Sequence, residues 1–116
     1  MPSDCVFCKI AAGEMDGRIV YRDERATAFW DVRPVVPVHI LVIPNKHISS
    51  VEEMTEEDEG LIGHLIYVAK HIAAEQGVAE DGYRLIINTG THARQSVFHL
   101  HVHLLAGEPL ASHLGR

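Results

Sequence analysis

The sequence predicts an α+β domain built on an antiparallel five-stranded sheet, with one long helix and a short helix near the N-terminus. Five short segments rich in β-branched and aromatic residues are separated by polar turns, which is typical of antiparallel strands. One long amphipathic segment interrupts them after the third strand. The 116 residues, 47% hydrophobic and 22% charged, suit a single domain over residues 1–116.

The short helix is predicted over residues 4–12. Ser3 or Asp4 would cap its N-terminus, because short polar side chains accept hydrogen bonds from the free N–H groups of the first turn. Gly13 would end it.

A hairpin and a third strand follow the short helix. Residues 18–21 and 26–30 are expected to pair around the polar turn 22–25. Residues 39–43 are rich in branched side chains and form a strand that ends at Pro44.

The clearest helix runs from Thr55 to Gly77 and begins with a capping box in which Asp58 replaces the usual Glu. Its buried stripe would consist of Leu61, Leu65, Val68, Ala69 and Ile72. His64 and His71 lie seven positions apart on this helix. We interpret them as a solvated or half-buried surface, because no acidic or cysteine partner accompanies them in the sequence.

Residues 83–88 and 96–105 complete the predicted sheet, and the last of these strands carries the most distinctive pattern in the chain. Histidines alternate with hydrophobic residues there, so one face would enter the core through Phe98, Leu100, Val102 and Leu104. His99, His101 and His103 would share the opposite face.

A row of three imidazoles indicates chemistry, because imidazole titrates near neutral pH and serves as nucleophile, acid, base or metal ligand. His39, at the start of the third strand, could face the row from a neighbouring strand. The alternative is a half-exposed strand that carries histidines without function. Three polar residues of one rare type on one face favour the functional interpretation.

The loop from Asn88 to Ser96 leads directly into the histidine row. Loops that join strands over a site often present backbone amides to anions. A simple hairpin turn is the alternative interpretation of this segment.

Composition limits the remaining function classes. A formal net charge of −6 without a Lys/Arg cluster disfavours nucleic-acid binding, although a small phosphate-bearing ligand remains compatible. Because the chain lacks an apolar run of the ~20 residues needed to cross a bilayer, we expect no membrane partner. We expect a cytoplasmic location, since the first residues lack a secretory pattern.

Residues 99–105, His-Leu-His-Val-His-Leu-Leu, resemble the histidine triad superfamily, whose motif is His-x-His-x-His followed by two hydrophobic residues. Four other segments occur in the order that the family shows, at residues 29–32, 37–39, 42–48 and 95–98. The resemblance covers nearly the whole chain and implies the histidine triad fold. It is strongest to small nucleoside phosphoramidases, which hydrolyse the P–N bond of purine nucleoside 5'-phosphoramidates and act as homodimers.

The resemblance implies a covalent mechanism. His101 would attack the α-phosphorus and form a nucleotidyl-histidine that water cleaves. His39 would orient His101, and His103 would bind a phosphate oxygen and assist proton delivery to the departing amine. Ser96 would contact the leaving group or the phosphate, and Asn88 the phosphate.

The resemblance also implies a nucleotide pocket. Asp31 would accept hydrogen bonds from the ribose hydroxyls. The other residues expected to contact the nucleotide are Phe7, Met15, Phe29 and Val97. Ordinary core packing is an equal alternative for Phe29.

Cys5 and Cys8 form a Cys-x-x-Cys pair, and the resemblance implies that His47 and His99 complete a structural zinc site with them. Two thiolates and two imidazoles form a donor set that zinc prefers. The alternatives are that the cysteines are small packing residues or, less favoured, a redox pair. No organic cofactor is implied.

The chain departs from the family pattern in two places. Residues 93–96 read Ala-Arg-Gln-Ser where relatives commonly have Gly-Gly-Gln-Ser, so Arg94 could alter the leaving-group preference. Residues 108–116 contain no tryptophan, which some relatives place near the partner's site. Dinucleoside polyphosphate hydrolysis, nucleotidyl transfer and a nucleotide-binding scaffold are therefore the alternative functions.

Overall fold

The computed structural model describes residues 4–112. In chain order its elements are helix α1 (Val6–Ala11), strands β1 (Ile19–Arg22), β2 (Ala26–Trp30) and β3 (Val38–Pro44), helix α2 (Glu59–Glu75), and strands β4 (Arg84–Ile86) and β5 (Val102–Ala106). The strands form one sheet in the order β1-β2-β3-β5-β4, and every neighbouring pair is antiparallel. The predicted fold class is therefore confirmed.

Strand β3 lies at the centre of the sheet and is covered on both faces. Side chains alternate along a strand, so Ile40 and Val42 pack in the cluster that α2 covers, whereas Leu41 and Ile43 pack in the cluster that α1 covers. Two buried faces explain why this segment reads as a continuous apolar run. The face under α1 carries the candidate site.

Helix α2 buries most of its predicted stripe. Leu65, Val68, Ala69 and Ile72 are buried, and Leu61 packs against them from the edge. The Asp58 carboxylate accepts the Thr55 N–H at 2.9 Å, as the capping box predicts. A short 3-10 turn fills the first residues of the predicted helix. No helix within the described part of the chain is long and apolar enough to cross a membrane.

The predicted N-cap of α1 is wrong. Cys5 caps the helix, because its sulfur accepts the Cys8 N–H at 3.3 Å, and Asp4 is exposed one position earlier. Ser3 lies outside the described residues. The helix starts two residues later than predicted because Cys5 is held by tertiary contacts with His99.

The last two strands are shorter than predicted, and one core residue is misassigned. Residues 96–101 lie outside the sheet, where the Leu100 N–H donates to the Ile48 carbonyl at 2.7 Å. Phe98 is therefore 50% exposed rather than buried, whereas Leu100, Val102 and Leu104 enter the core as predicted. The late start of β5 leaves β4 only three paired residues.

His64 has an acidic partner, contrary to the sequence-based interpretation. Its Nε2 lies 2.7 Å from Asp23 Oδ2, and the Tyr21 hydroxyl donates to the same carboxylate oxygen at 2.6 Å. Burial alone would raise the pKa of Asp23, but hydrogen bonds from Tyr21, the Arg25 N–H and His64 hold it well below its usual range. The cluster ties the β1–β2 turn to α2. His71 is exposed, as expected, but it too has an acidic neighbour, since its Nε2 lies 3.5 Å from Glu75 Oε2.

Candidate active site and metal centre

Two members of the histidine row are buried and the third, His103, is half-buried. His99 and His101 precede β5 and are 0% and 4% exposed, whereas His103 lies in β5 opposite Leu41. His39 enters from β3 and is also buried. The rings of His101 and His103 lie 4.9 Å apart between centroids, so the row forms one cluster.

A backbone carbonyl fixes the tautomer of His101. Its Nδ1 lies 2.7 Å from the His99 carbonyl oxygen. Because a carbonyl only accepts, Nδ1 carries the proton and Nε2 carries the lone pair. Burial lowers the pKa of His101, against the opposing effect of this hydrogen bond, so the ring is neutral near pH 7. The result is a neutral imidazole with a free nucleophilic nitrogen.

A second hydrogen-bond chain orients His103. The Val35 N–H donates to His39 Nδ1 at 3.2 Å, so the proton of neutral His39 lies on Nε2. That nitrogen is 2.9 Å from His103 Nδ1 and donates to it, which leaves the His103 proton on Nε2. Burial lowers the pKa of both rings, and that of His103 reaches about 4 with the added effect of His101 and His39. His39 was expected to orient His101, but its hydrogen bond is to His103.

Asp31 stands beside this pair. Its Oδ2 lies 3.3 Å from His39 Nε2, and its Oδ1 accepts the Arg33 N–H at 2.8 Å. Asp31, His39 and His103 could together hold a metal ion, since one ligand atom of each lies within 4.8 Å of the others. The proton on His39 Nε2 makes the group a hydrogen-bond chain instead.

A cavity of about 850 Å³ opens beside the cluster. Eight of the predicted site residues line it: Phe7, Met15, Phe29, Asp31, Ser96, Val97, His101 and His103. Asn88 and His39 do not line it in this chain. The Phe7 ring meets Phe29 and His101 edge-on, with centroids 5.3 and 5.2 Å apart, so an aromatic wall adjoins the reactive imidazole.

Sequence reasoning missed several residues that line this cavity, among them Val6, Ile10, Arg18, Trp30, Arg33 and Leu41. Strand alternation could have found Leu41, which shares its face with Ile43. The arginines carry no comparable sequence signal, because exposed arginines are common on any domain.

Gln95 is a further residue that sequence reasoning missed. Its buried side chain accepts the Gly90 N–H at 2.9 Å and donates to the Ser49 and Val97 carbonyls at 2.7 and 3.1 Å. These bonds hold the loop on both sides of Ser96. Its position next to Ser96 in the family segment 95–98 could have indicated a role in holding this loop.

The second cluster is the Cys5, Cys8, His47 and His99 group. His99 Nδ1 lies 3.3 Å from Cys5 Sγ and 3.5 Å from Cys8 Sγ. His47 Nδ1 lies 3.2 Å from His99 Nδ1 and 3.2 Å from Cys8 Sγ. A tetrahedron with zinc's usual bonds to sulfur and nitrogen has edges of about 3.3 to 3.8 Å. His99 Nε2 donates to the Pro44 carbonyl at 2.8 Å, so its Nδ1 lone pair faces the group. Donor type and spacing both fit zinc.

The chain is similar to known proteins along most of its length. The family model described as HIT domain matches residues 12–110. The chain belongs to the HIT domain family. The HIT chain is 48% identical to the purine nucleoside phosphoramidase of Escherichia coli (strain K12) over 110 residues, which cover 95% of this chain and 92% of that protein.

Two solved HIT structures match the fold closely. A histidine triad protein from Clostridium difficile is 42% identical with a TM-score of 0.95, and the match covers 98% of this chain and 99% of that one. A zinc-bound histidine triad family protein from Mycobacterium smegmatis is 31% identical with a TM-score of 0.80, over 97% of this chain and 81% of that one. The five-stranded sheet of this chain is thus that of the HIT structures.

Proposed function

We propose that this chain is a hydrolase that cleaves the P–N bond of purine nucleoside 5'-phosphoramidates through a nucleotidyl-histidine at His101. The observation that carries the proposal is the bond from His101 Nδ1 to the His99 carbonyl, which leaves Nε2 free in a ring that lines the cavity. The 48% identity to a protein named purine nucleoside phosphoramidase supports the substrate class.

The cavity suits a purine nucleotide. Phe7, Met15 and Phe29 offer an apolar and aromatic wall for the base. Asp31 would accept hydrogen bonds from the ribose, and Ser96 and Val97, which also line the cavity, would contact the phosphate. Asn88 would act on the phosphate loop from outside the cavity wall.

The reaction would proceed in two displacements. His101 Nε2 attacks the α-phosphorus, and the P–N bond to the amine breaks as the departing nitrogen takes a proton from His103 Nε2. His103 gives this proton from the protonated form of the His39–His103 pair, so the ring stays a neutral imidazole. Water then attacks the phosphorus and breaks its bond to His101, releasing the nucleoside monophosphate. The proton of that water returns to the His39–His103 pair, so the enzyme ends as it began.

Zinc would be held by Cys5, Cys8, His47 and His99. When bound it supplies a structural cross-link and no chemistry to the substrate. His99 would connect the two sites, because its ring belongs to the metal group while its carbonyl orients His101. In this proposal His99 has a structural role and does not donate a proton in the reaction.

A homodimer is part of the proposal, and two surface features of the chain could contact a second copy. Strand β4 is an edge strand, and α2 exposes Tyr67 and part of Ile66. We propose neither nucleic acid nor membrane as a partner, given the net charge of −6. A monomeric mass in sedimentation at micromolar concentration would contradict the dimer.

The test is turnover of adenosine 5'-phosphoramidate, with intact mass measured on the acid-quenched enzyme. We expect AMP and ammonia as products and an adduct of one AMP on the protein. His101→Ala should lose the adduct and about 1,000-fold or more of kcat, whereas His92→Ala, an exposed histidine, should lose neither. Binding of AMP without turnover would refute the enzymatic proposal and support the scaffold alternative. Preferred turnover of a dinucleoside polyphosphate would support the second enzymatic alternative.

A further inference from the structure

In its neutral arrangement, the His39–His103 pair has no ring nitrogen free to take an additional proton. The Val35 N–H already donates to His39 Nδ1, and His39 Nε2–H already donates to His103 Nδ1. A proton added at either ring would face another N–H across one of these contacts. The pair therefore resists protonation unless another acceptor takes over.

Asp31 is the acceptor within reach. Its Oδ2 is 3.3 Å from His39 Nε2, and it lies within 4.8 Å of the His103 ligand atom. A cationic His103 could turn its Nδ1–H toward this carboxylate, and His39 Nε2–H could do the same. The Arg33 N–H holds Oδ1 and so fixes the orientation of the carboxyl group.

We propose that Asp31, besides contacting the ribose, is a positioning residue that stabilises the protonated His39–His103 pair from which the leaving amine takes its proton. The inference rests on the proposed function. His103 Nε2–H gives its proton to the departing nitrogen, which leaves His103 neutral with its remaining proton on Nδ1, directed at Asp31. The proton of the attacking water then returns to Nε2 and restores the charged state.

The surroundings of the pair support this assignment. The titratable groups that face it are Asp31, from the loop after β2, and His101, from the segment before β5. Asp31 favours the charged form of His39 and of His103, whereas burial and His101 oppose it. The remaining charged residues of the cavity lining are Asp16, Arg18 and Arg33. Asp31 is the carboxylate in contact with the pair.

A ribose contact and a charge-stabilising contact predict different results for Asp31→Asn. The experiment compares adenosine 5'-phosphoramidate with its 2',3'-dideoxy counterpart, which lacks both hydroxyls. We expect Asp31→Asn to lower kcat about tenfold with both substrates, and to move the alkaline limb of the kcat profile about one pH unit lower. The limb moves to lower pH because the protonated His39–His103 pair loses the Asp31 carboxylate that stabilises it. Asp81→Asn, at an exposed position outside the cavity lining, should leave the limb in place.

The pKa of His103 in the free protein gives a readout that does not depend on turnover. We expect a histidine NMR titration to place it about one unit lower in Asp31→Asn than in the native chain, with thermal unfolding confirming that both are folded. An unmoved His103 pKa, or a kcat loss that disappears with the dideoxy substrate, would overturn the inference and leave Asp31 as a ribose contact. Absence of turnover in the native chain would instead refute the proposed function.

Discussion

Single hydrogen bonds to backbone carbonyls leave different ring nitrogens free on His99 and His101. His101 donates to the His99 carbonyl and keeps a lone pair on Nε2, whereas His99 donates to the Pro44 carbonyl and keeps its lone pair on Nδ1. The same side chain thus presents opposite nitrogens at two positions only two residues apart. A row that alternates in the sequence thus presents one free nitrogen to the cavity, at His101, and one to the Cys/His group, at His99.

Arg94 carries the second residue-scale result, because it adopts a left-handed backbone with φ of 63°. Such a backbone costs a non-glycine residue about 1–2 kcal/mol, whereas glycine's added flexibility costs about 0.5–1 kcal/mol. We expect Arg94→Gly to raise the free energy of unfolding by about 0.5 kcal/mol, measured by urea denaturation. Ala93→Gly, without the positive φ, should lower it.

The same variant tests whether Arg94 affects the choice of leaving group. The ratio of phosphoramidate to dinucleotide turnover should change when the guanidinium is removed from the loop beside Ser96. An unchanged ratio would remove that hypothesis and leave Arg94 as a strained surface residue.

At the scale of elements, the Cys/His group joins three parts of the chain that lie far apart in the sequence, two of which are also linked by the bond from the Leu100 N–H to the Ile48 carbonyl. Cys5 and Cys8 come from the start of α1, His47 from the segment after β3, and His99 from the segment before β5. A metal bound there would cross-link them and hold the His99 carbonyl on His101. Such a metal would therefore act mainly on stability, and on the proposed catalysis only through the position of His101.

Removal of the metal should accordingly lower the melting temperature. We expect elemental analysis of protein purified without chelator to find one zinc per chain, and a strong chelator to lower Tm by at least about 5 °C. Cys8→Ser should start from the lower Tm and show no further response, whereas His92→Gln should behave as the native chain. A zinc content below about one tenth of an equivalent, with an unaltered Tm, would contradict the metal centre.

At the scale of the whole molecule, burying several neutral imidazoles makes the fold sensitive to acid. Burial lowers the pKa of His103 to about 4 and that of His39 below its usual range. The unfolded chain therefore binds protons first, near an ordinary histidine pKa of about 6.5. The stability that these rings contribute is complete above that pH and is lost as the pH falls toward 4.

We expect the native chain to unfold at lower urea concentration at pH 5 than at pH 8, with a loss of about 2 kcal/mol from His103, since one pKa unit is about 1.4 kcal/mol. His103→Gln should show a smaller loss between the two pH values, because it removes one of the groups that the unfolded chain protonates. His92→Gln should show the native loss. Equal losses in all three proteins would contradict the assignment to His103.

The sequence by itself determined the fold class, the helical stripe of α2 and the chemical character of the site. These follow from hydrophobic periodicity and from residue types in a short motif, which act locally along the chain. The family resemblance added the roles, and the HIT domain match confirmed the family. Strand ends and helix caps were less predictable, as the N-cap at Cys5 and the exposed Phe98 show.

The tertiary structure alone decided which nitrogen each histidine presents and which groups meet. The tautomer of His101 depends on a carbonyl, the partner of His39 is His103, and His64 finds Asp23 from 41 positions away. These outcomes depend on contacts between distant segments whose relative placement is set by packing of the sheet between its two helices. Periodicity specifies the face on which a side chain lies, but not the atom that it will meet there.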